Sequence, residues 1–230
     1  MEQIVTSLLA GNRKHAHSVK DQFDDLQSAQ HPDAVTVCCS DSRVLQDRMW
    51  NNDDPGRLFT CGNIGNRVLH PSESGPVVAG DIIYPLHHTG TSIVLVVGHT
   101  RCGAITAAIE DLRTGRNDCP GLAACLDLLE ADLINGLELL PVDIDDEQAV
   151  NYMVEYNVDR QIEHLQESPD VSKDTTAVGL VYDFCDAYPG DRGELHVINV
   201  DGERSIDELR AVHPEIADRI RRLWSYERDQ

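Results

Sequence analysis

The sequence predicts an α/β fold: a mainly parallel central β-sheet flanked by helices, with a helical N-terminal arm. Three observations carry this. Short runs rich in β-branched residues, Ala34–Cys39 and Ser92–Gly98 above all, read as buried parallel strands. Segments of helical apolar spacing alternate with them, as expected where crossover helices join parallel strands. At 230 residues the chain can bury one substantial core, and no internal repeat or low-complexity linker divides it. A single domain over residues 1–230 is the expectation.

Each element has its own signal. Residues 1–29 carry helical spacing through Ile4, Leu8 and Leu9, then Val19, Phe23 and Leu26, and form an arm suited to packing on a partner subunit. The first strand, Ala34–Cys39, is bounded by His31-Pro32-Asp33 and Ser40-Asp41-Ser42. A second lies near Leu58–Cys61 and ends at Gly62-Asn63-Ile64-Gly65-Asn66. Gly75 to His88 reads as a helix, and Ser92–Gly98 is the strongest strand signal. Gly103–Arg113 has helical spacing that stops at Thr114-Gly115. Residues 121–168 are mostly helical with a break around Pro141. The last strands, Thr176–Tyr182 and Glu194–Val200, are separated by Pro189-Gly190-Asp191. A C-terminal helix is expected over 205–230, opened by the capping-box pattern Ser205-Ile206-Asp207-Glu208.

Composition narrows the partners. There are 40 acidic against 19 basic residues, a net charge of −21, and the only lysines are Lys14, Lys20 and Lys173. Such a surface repels nucleic acid and anionic membranes. The charge is spread through segments of clear apolar periodicity, so it reads as a solvated folded surface suited to high salt, where repulsion is screened. A halophilic source is the expectation. No apolar stretch approaches the roughly 18 residues of a membrane span, and Met1-Glu2-Gln3-Ile4 does not begin a signal peptide. Seven scattered cysteines, an odd number, suit a reducing cytoplasm better than a disulfide framework.

The chemistry is concentrated in Cys39-Ser40-Asp41-Ser42-Arg43 and His99-Thr100-Arg101-Cys102. Cys39, His99 and Cys102 offer zinc three ligands and leave a fourth tetrahedral position open, which is the count of a catalytic rather than a structural site. In parallel sheets ligands gather at the carboxyl ends of strands. Cys39 ends one predicted strand, His99 follows another, and Cys102 precedes a helix whose N-terminus favours a thiolate. Asp41 alternates with Cys39 and so points to the same side, as fourth ligand or as acceptor for a zinc-bound water. Arg43 continues the alternation and can hold Asp41 by a bidentate pair. Singly, each residue has a plainer reading: a buried cysteine as a small hydrophobe, a histidine as a cap, an Asp–Arg pair on the surface. Their joint placement at two strand ends favours one zinc per chain. Two thiolates cancel the ion's formal charge, so activity should rise toward alkaline pH.

Cys39-Ser-Asp41-Ser-Arg43 together with Gly98-His99-Thr-Arg-Cys102-Gly103-Ala104 closely resembles the β-class carbonic anhydrases, and the likeness runs from about Gln30 to Val200, including Asn157-Val-Asp-Arg-Gln161-Ile162. The resemblance implies that Cys39, His99 and Cys102 hold zinc and that Asp41 and Arg43 form the catalytic dyad. It further implies that zinc-bound hydroxide attacks carbon dioxide to give bicarbonate and a proton. Gln30 is similar to a glutamine that donates to substrate oxygen in plant-like members, and Phe59, Ile64 and Tyr84 to an apolar pocket wall. A homodimer, or a multiple of dimers with the site near the subunit boundary, is implied as well. Gly62 stands where many relatives carry an arginine serving an inhibitory bicarbonate site. That regulation is not expected here, and Gln30 and Gly62 both point to the form in which Asp41 leaves zinc open. Arg101 is bulkier than the usual residue and is expected at the pocket mouth. Two other readings remain: a carbon disulfide or carbonyl sulfide hydrolase on the same scaffold, and a non-catalytic zinc or redox module in which Cys39 and Cys102 form a disulfide.

Overall fold

The β-branched runs form the expected strands in a computed structural model that describes residues 2–115 and 118–226. The strands are β1 Ala34–Cys39, β2 Leu58–Asn63, β3 Leu69–His70, β4 Val77–Val78, β5 Ile93–His99, β6 Thr176–Asp183 and β7 Glu194–Val200. The helices are α1 Glu2–Val19, α2 Gly80–His88, α3 Gly103–Thr114, α4 Pro120–Leu137, α5 Asp146–Glu167 and α6 Ile206–Val212. Five strands make the central sheet in the order β2-β1-β5-β6-β7. Its first four are parallel to one another, and β7 runs antiparallel to β6, joined to it by residues 184–193, which include Pro189-Gly190-Asp191.

Every residue of β1 is buried, as a strand covered on both faces requires. On one face Val35, Val37, Val94 and Val96 pack with Leu126, Leu129, Met153 and Ile162 of the helical layer. On the other, Cys38 and Val97 meet Leu180, Leu209 and Ile220. Cys38 and Cys39 therefore face opposite layers, and only Cys39 joins the helical side. The approach of α5 to β5 is closest at Gly98, where a Cβ would lie 2.7 Å from Val158 Cγ2 and 3.0 Å from Val154 Cγ1. Glycine here lets the helix lie directly over the strand that ends in His99.

Two expectations are corrected. The helix expected from Gly75 begins only at Gly80, because Val77–Val78 pair antiparallel with Leu69–His70. Pro76 and two β-branched residues favour that extended start. The C-terminal helix expected over 205–230 stops at Val212, where Pro214 opens a 3-10 turn over Pro214–Ile216. The chain beyond runs extended along β7, with Val197 N–H donating to Arg219 O and Arg221 N–H to Val197 O. Residues 227–230 of that expectation lie outside the described residues.

At the other end, α1 is followed by a 3-10 turn over Lys20–Leu26. Ile4, Val5, Leu8 and Leu9, one stripe at helical spacing, are each more than half exposed. Among the described residues no helix is long and apolar enough to cross a membrane.

Candidate metal centre

Parallel strands bring their carboxyl ends to one rim. Cys39 is the last residue of β1 and His99 the last of β5, and these strands are neighbours in register. After His99 the chain turns through Arg101, at φ +52°, and delivers Cys102 as the N-cap of α3. The ligand atoms of Cys39, His99 and Cys102 all lie within 4.8 Å of one another, and all three residues are buried. The two Sγ atoms are 4.0 Å apart. That is far beyond a disulfide bond of about 2.05 Å, and near the roughly 3.8 Å expected of two sulfurs on one tetrahedral zinc. All seven cysteines are free thiols, which removes the disulfide version of the redox reading.

The imidazole is oriented for ligation. His99 Nδ1 lies 3.0 Å from Thr100 O, and a carbonyl only accepts, so the proton sits on Nδ1. Nε2 is then left with its lone pair toward the cysteines, fully buried and without a hydrogen-bond partner. An unpaired buried nitrogen between two sulfurs is costly unless a cation takes the lone pair. The donor set therefore fits zinc.

The thiols divide one proton unequally. Cys39 is pushed down, first by the hydrogen bond from Cys102, against burial, and with help from His99 and the Gly65 backbone. Cys102 is pushed well up by the same hydrogen bond and by burial, although the N–H groups of Ile105 and Ala104 at the start of α3 favour its thiolate. A metal ion replaces the shared proton, so binding must release protons.

Asp41 stands at the edge of this cluster, Oδ2 being 3.9 Å from His99 Nε2. It is engaged by Arg43: Nε donates to Oδ1 at 2.9 Å, Nη2 to Oδ2 at 2.6 Å, and the Arg43 backbone N–H to Oδ1 at 2.9 Å. This fork holds the Asp41 carboxyl well below the usual range and raises Arg43 in return. Arg43 Nη2 also reaches Arg101 O at 3.4 Å. The Arg101 side chain turns outward to pair with Glu147, its Nε donating at 2.9 Å, while its backbone N–H donates to Asn151 Oδ1.

Sequence reasoning missed a third strand end at this rim, that of β6, which pairs Tyr182 with His99. Beyond it, Thr100 Oγ1 donates to Asp183 Oδ1 and accepts from Phe184 N–H. Burial opposes ionisation of Asp183. The N–H groups of Tyr188, Cys185 and Ala187 and the Thr100 hydroxyl outweigh it and keep the carboxyl low. Phe184 stacks on His99, with centroids 5.6 Å apart, and lies under the Arg43 guanidinium at 4.6 Å. The strand-end rule that singled out Cys39 and His99 would have flagged Asp183 and Phe184 too.

The expected pocket wall is divided. Ile64 follows β2 at the rim, where Asn63 pairs with Cys39 and Gly65 reaches its sulfur. Phe59 pairs with Val35, four residues back along the strand, about 13 Å from the rim. It packs with Tyr84 of α2, centroids 6.3 Å apart. Gln30 precedes the amino end of β1 and is exposed, and Tyr84 is 51% exposed. Gln30, Phe59 and Tyr84 are thus not gathered around the metal ligands of their own chain. Gly62 is exposed and offers no side chain to hold an anion where an arginine would stand; the Gln46 amide lies over it, 2.8 Å from where a Cβ would be.

A sequence profile of the family described as "Carbonic anhydrase" matches residues 34–188. A carbonic anhydrase of Pseudomonas aeruginosa is 24% identical over 229 residues, spanning 94% of each chain. The "Beta carbonic anhydrase 5, chloroplastic" of Arabidopsis thaliana is 34% identical over 91 residues, 39% of this chain and 30% of that one. Among solved structures, a tetrameric β-carbonic anhydrase of Sordaria macrospora aligns with a TM-score of 0.68 at 22% identity, over 86% of this chain and 96% of that one. At that identity the likeness bears on the fold alone.

Proposed function

The chain belongs to the carbonic anhydrase family, in its β-class, and from that premise we propose that it catalyses the reversible hydration of carbon dioxide to bicarbonate and a proton. The observation that carries the reading is the buried Cys39–His99–Cys102 cluster with the unpaired His99 Nε2 turned into it. These three residues would hold one zinc ion per chain. Zinc, when bound, would supply a Lewis acid that acidifies water toward a nucleophile.

The chain's own residues do the rest. Thr100 O fixes the His99 ring by its Nδ1 proton. Asp41, kept ionised by Arg43, presents a carboxylate beside the ligand cluster that can accept a hydrogen bond from the attacking water and aim its lone pair. Ile64 lends an apolar surface suited to an uncharged gas. The proton released in hydration passes to buffer. Engagement of Asp41 by Arg43 supports the open form, in which Asp41 is not itself a zinc ligand.

A homodimer or multiple of dimers is part of this proposal. The unsatisfied Ile4, Val5, Leu8 and Leu9 stripe offers a surface for a second chain. Gln30, Phe59 and Tyr84 would then line the site of the chain opposite. The acidic surface and free thiols support a salt-rich, reducing cytoplasm as its setting.

The test is oxygen-isotope exchange between carbon dioxide and water by the zinc-loaded protein, run beside sulfide release from carbon disulfide and carbonyl sulfide. Exchange with one zinc per chain, both abolished in Cys39→Ser, is the expected outcome. A zinc-replete protein without exchange overturns the reading, and sulfide release in its place selects the hydrolase.

A further inference from the structure

Arg43 sits on a flexible stem with its side chain half exposed. Its fork to Asp41 fixes the two side chains relative to each other, but does not fix the pair relative to the metal ligands. Besides Asp41, its polar tether is one long hydrogen bond, 3.4 Å to Arg101 O. The missing restraint is aromatic. The Arg43 guanidinium carbon lies 4.6 Å from the centroid of the Phe184 ring, and the same ring stacks on His99 at 5.6 Å and 26°. One side chain therefore touches both the metal-facing imidazole and the cation of the dyad.

The ring is itself well held. Phe184 N–H donates to Thr100 Oγ1, and Thr100 O in turn orients His99. Tyr182 meets the ring edge-on at 6.0 Å. A guanidinium over an aromatic face is attracted by the ring quadrupole, more strongly as water is excluded. Replacing the ring with an aliphatic side chain of similar bulk removes that attraction and leaves the volume nearly filled.

We propose that Phe184 is a positioning residue for Arg43, and through Arg43 for Asp41, tying the dyad to the His99 side of the metal centre. This rests on the hydration reading above. Phe184 touches neither carbon dioxide nor the attacking water in this account; it acts by limiting where the Asp41 carboxylate can swing.

The experiment compares Phe184→Leu and Phe184→Tyr in the zinc-loaded protein. Phe184→Leu is expected to lower kcat about tenfold, with KM within about twofold and zinc content unchanged. Phe184→Tyr keeps the ring and should restore kcat. In an Arg43→Gln background, Phe184→Leu should cost nothing further, since its effect runs through the missing guanidinium. A direct readout independent of turnover is the NMR shift of Arg43 Hε. The ring current should displace it in the parent and in Phe184→Tyr, and the displacement should vanish in Phe184→Leu. Unchanged kcat in Phe184→Leu, a loss that merely tracks lost zinc, an equal loss in the Arg43→Gln background, or an unmoved Hε resonance would each overturn the proposal. If the parent shows no isotope exchange, the hydration reading falls, while the Hε comparison still decides whether Phe184 positions Arg43.

Discussion

Asp41 receives two parallel bonds from Arg43 and one backbone N–H, so its carboxyl is held low. The sign follows from linkage: a depressed acid contributes stability above its unfolded pKa and loses it only as pH falls through the lower folded value. Asp41 is therefore charged throughout the neutral and alkaline range, and no ionisation of it shapes the profile there. On the proposed reading, Cys39 and Cys102 would set that shape instead: as two thiolates holding zinc they would cancel the ion's formal charge and leave water less acidified than in an all-histidine site. Activity is expected to climb from neutral toward alkaline pH, and a pH–rate profile already flat below neutrality would contradict the assignment.

At the level of elements, Gly98 governs how closely α5 lies on β5. Gly98→Ala is expected to cost about 1–3 kcal/mol by overpacking, read as a lower denaturant midpoint, with weakened zinc retention because His99 is the next residue. A second element-level feature is the fastening of the C-terminal segment to α5. The Glu155 carboxylate accepts from Leu223 N–H, Trp224 N–H and Tyr188 OH, while Arg222 pairs with Asp159 at 2.7 Å. Burial raises Glu155 to about 7 from an ordinary 4.5. A raised acid contributes stability below its unfolded value and loses it as pH rises through the folded one. Thermal stability should therefore decline between those two pH values, and the decline should flatten in Glu155→Gln; identical slopes would refute it. Elements also show what a sequence can disclose. The ends of β1 and β5 were legible because each strand terminates in a residue type that can ligate a metal. The end of β6 falls under the same strand-end rule but was passed over, because Asp183 and Phe184 are not metal-ligand residues in a paired spacing and act through hydrogen bonding and stacking. Val77–Val78 were misread because a two-residue ladder depends on partners seven and nine residues back, and the C-terminal segment because its partner is the edge of β7.

For the whole molecule, the dominant fact is charge. With 40 acids against 19 bases, self-repulsion opposes the compact state and is screened by salt. Melting temperature is expected to fall markedly between molar and low ionic strength, with dissociation of any assembly. An unchanged melting curve would exclude adaptation to high salt. The fold class was legible at this scale because alternation of strand and helix survives any surface composition. The proposed assembly has only the exposed apolar stripe on α1 behind it, which leaves the covering surface unnamed.

The distance of Phe59 on β2 and of Tyr84 on α2 from the Cys39 rim has a genetic consequence. If each complete site takes its ligands from one chain and its wall from another, two damaged chains can repair each other. Chains carrying Cys39→Ser, mixed with chains carrying Gln30→Ala and Tyr84→Ala, would form hybrids in which one of the two sites is intact. Random pairing would restore roughly a quarter of all sites. Activity no greater than the sum of the separate preparations would mean that each chain completes its own site.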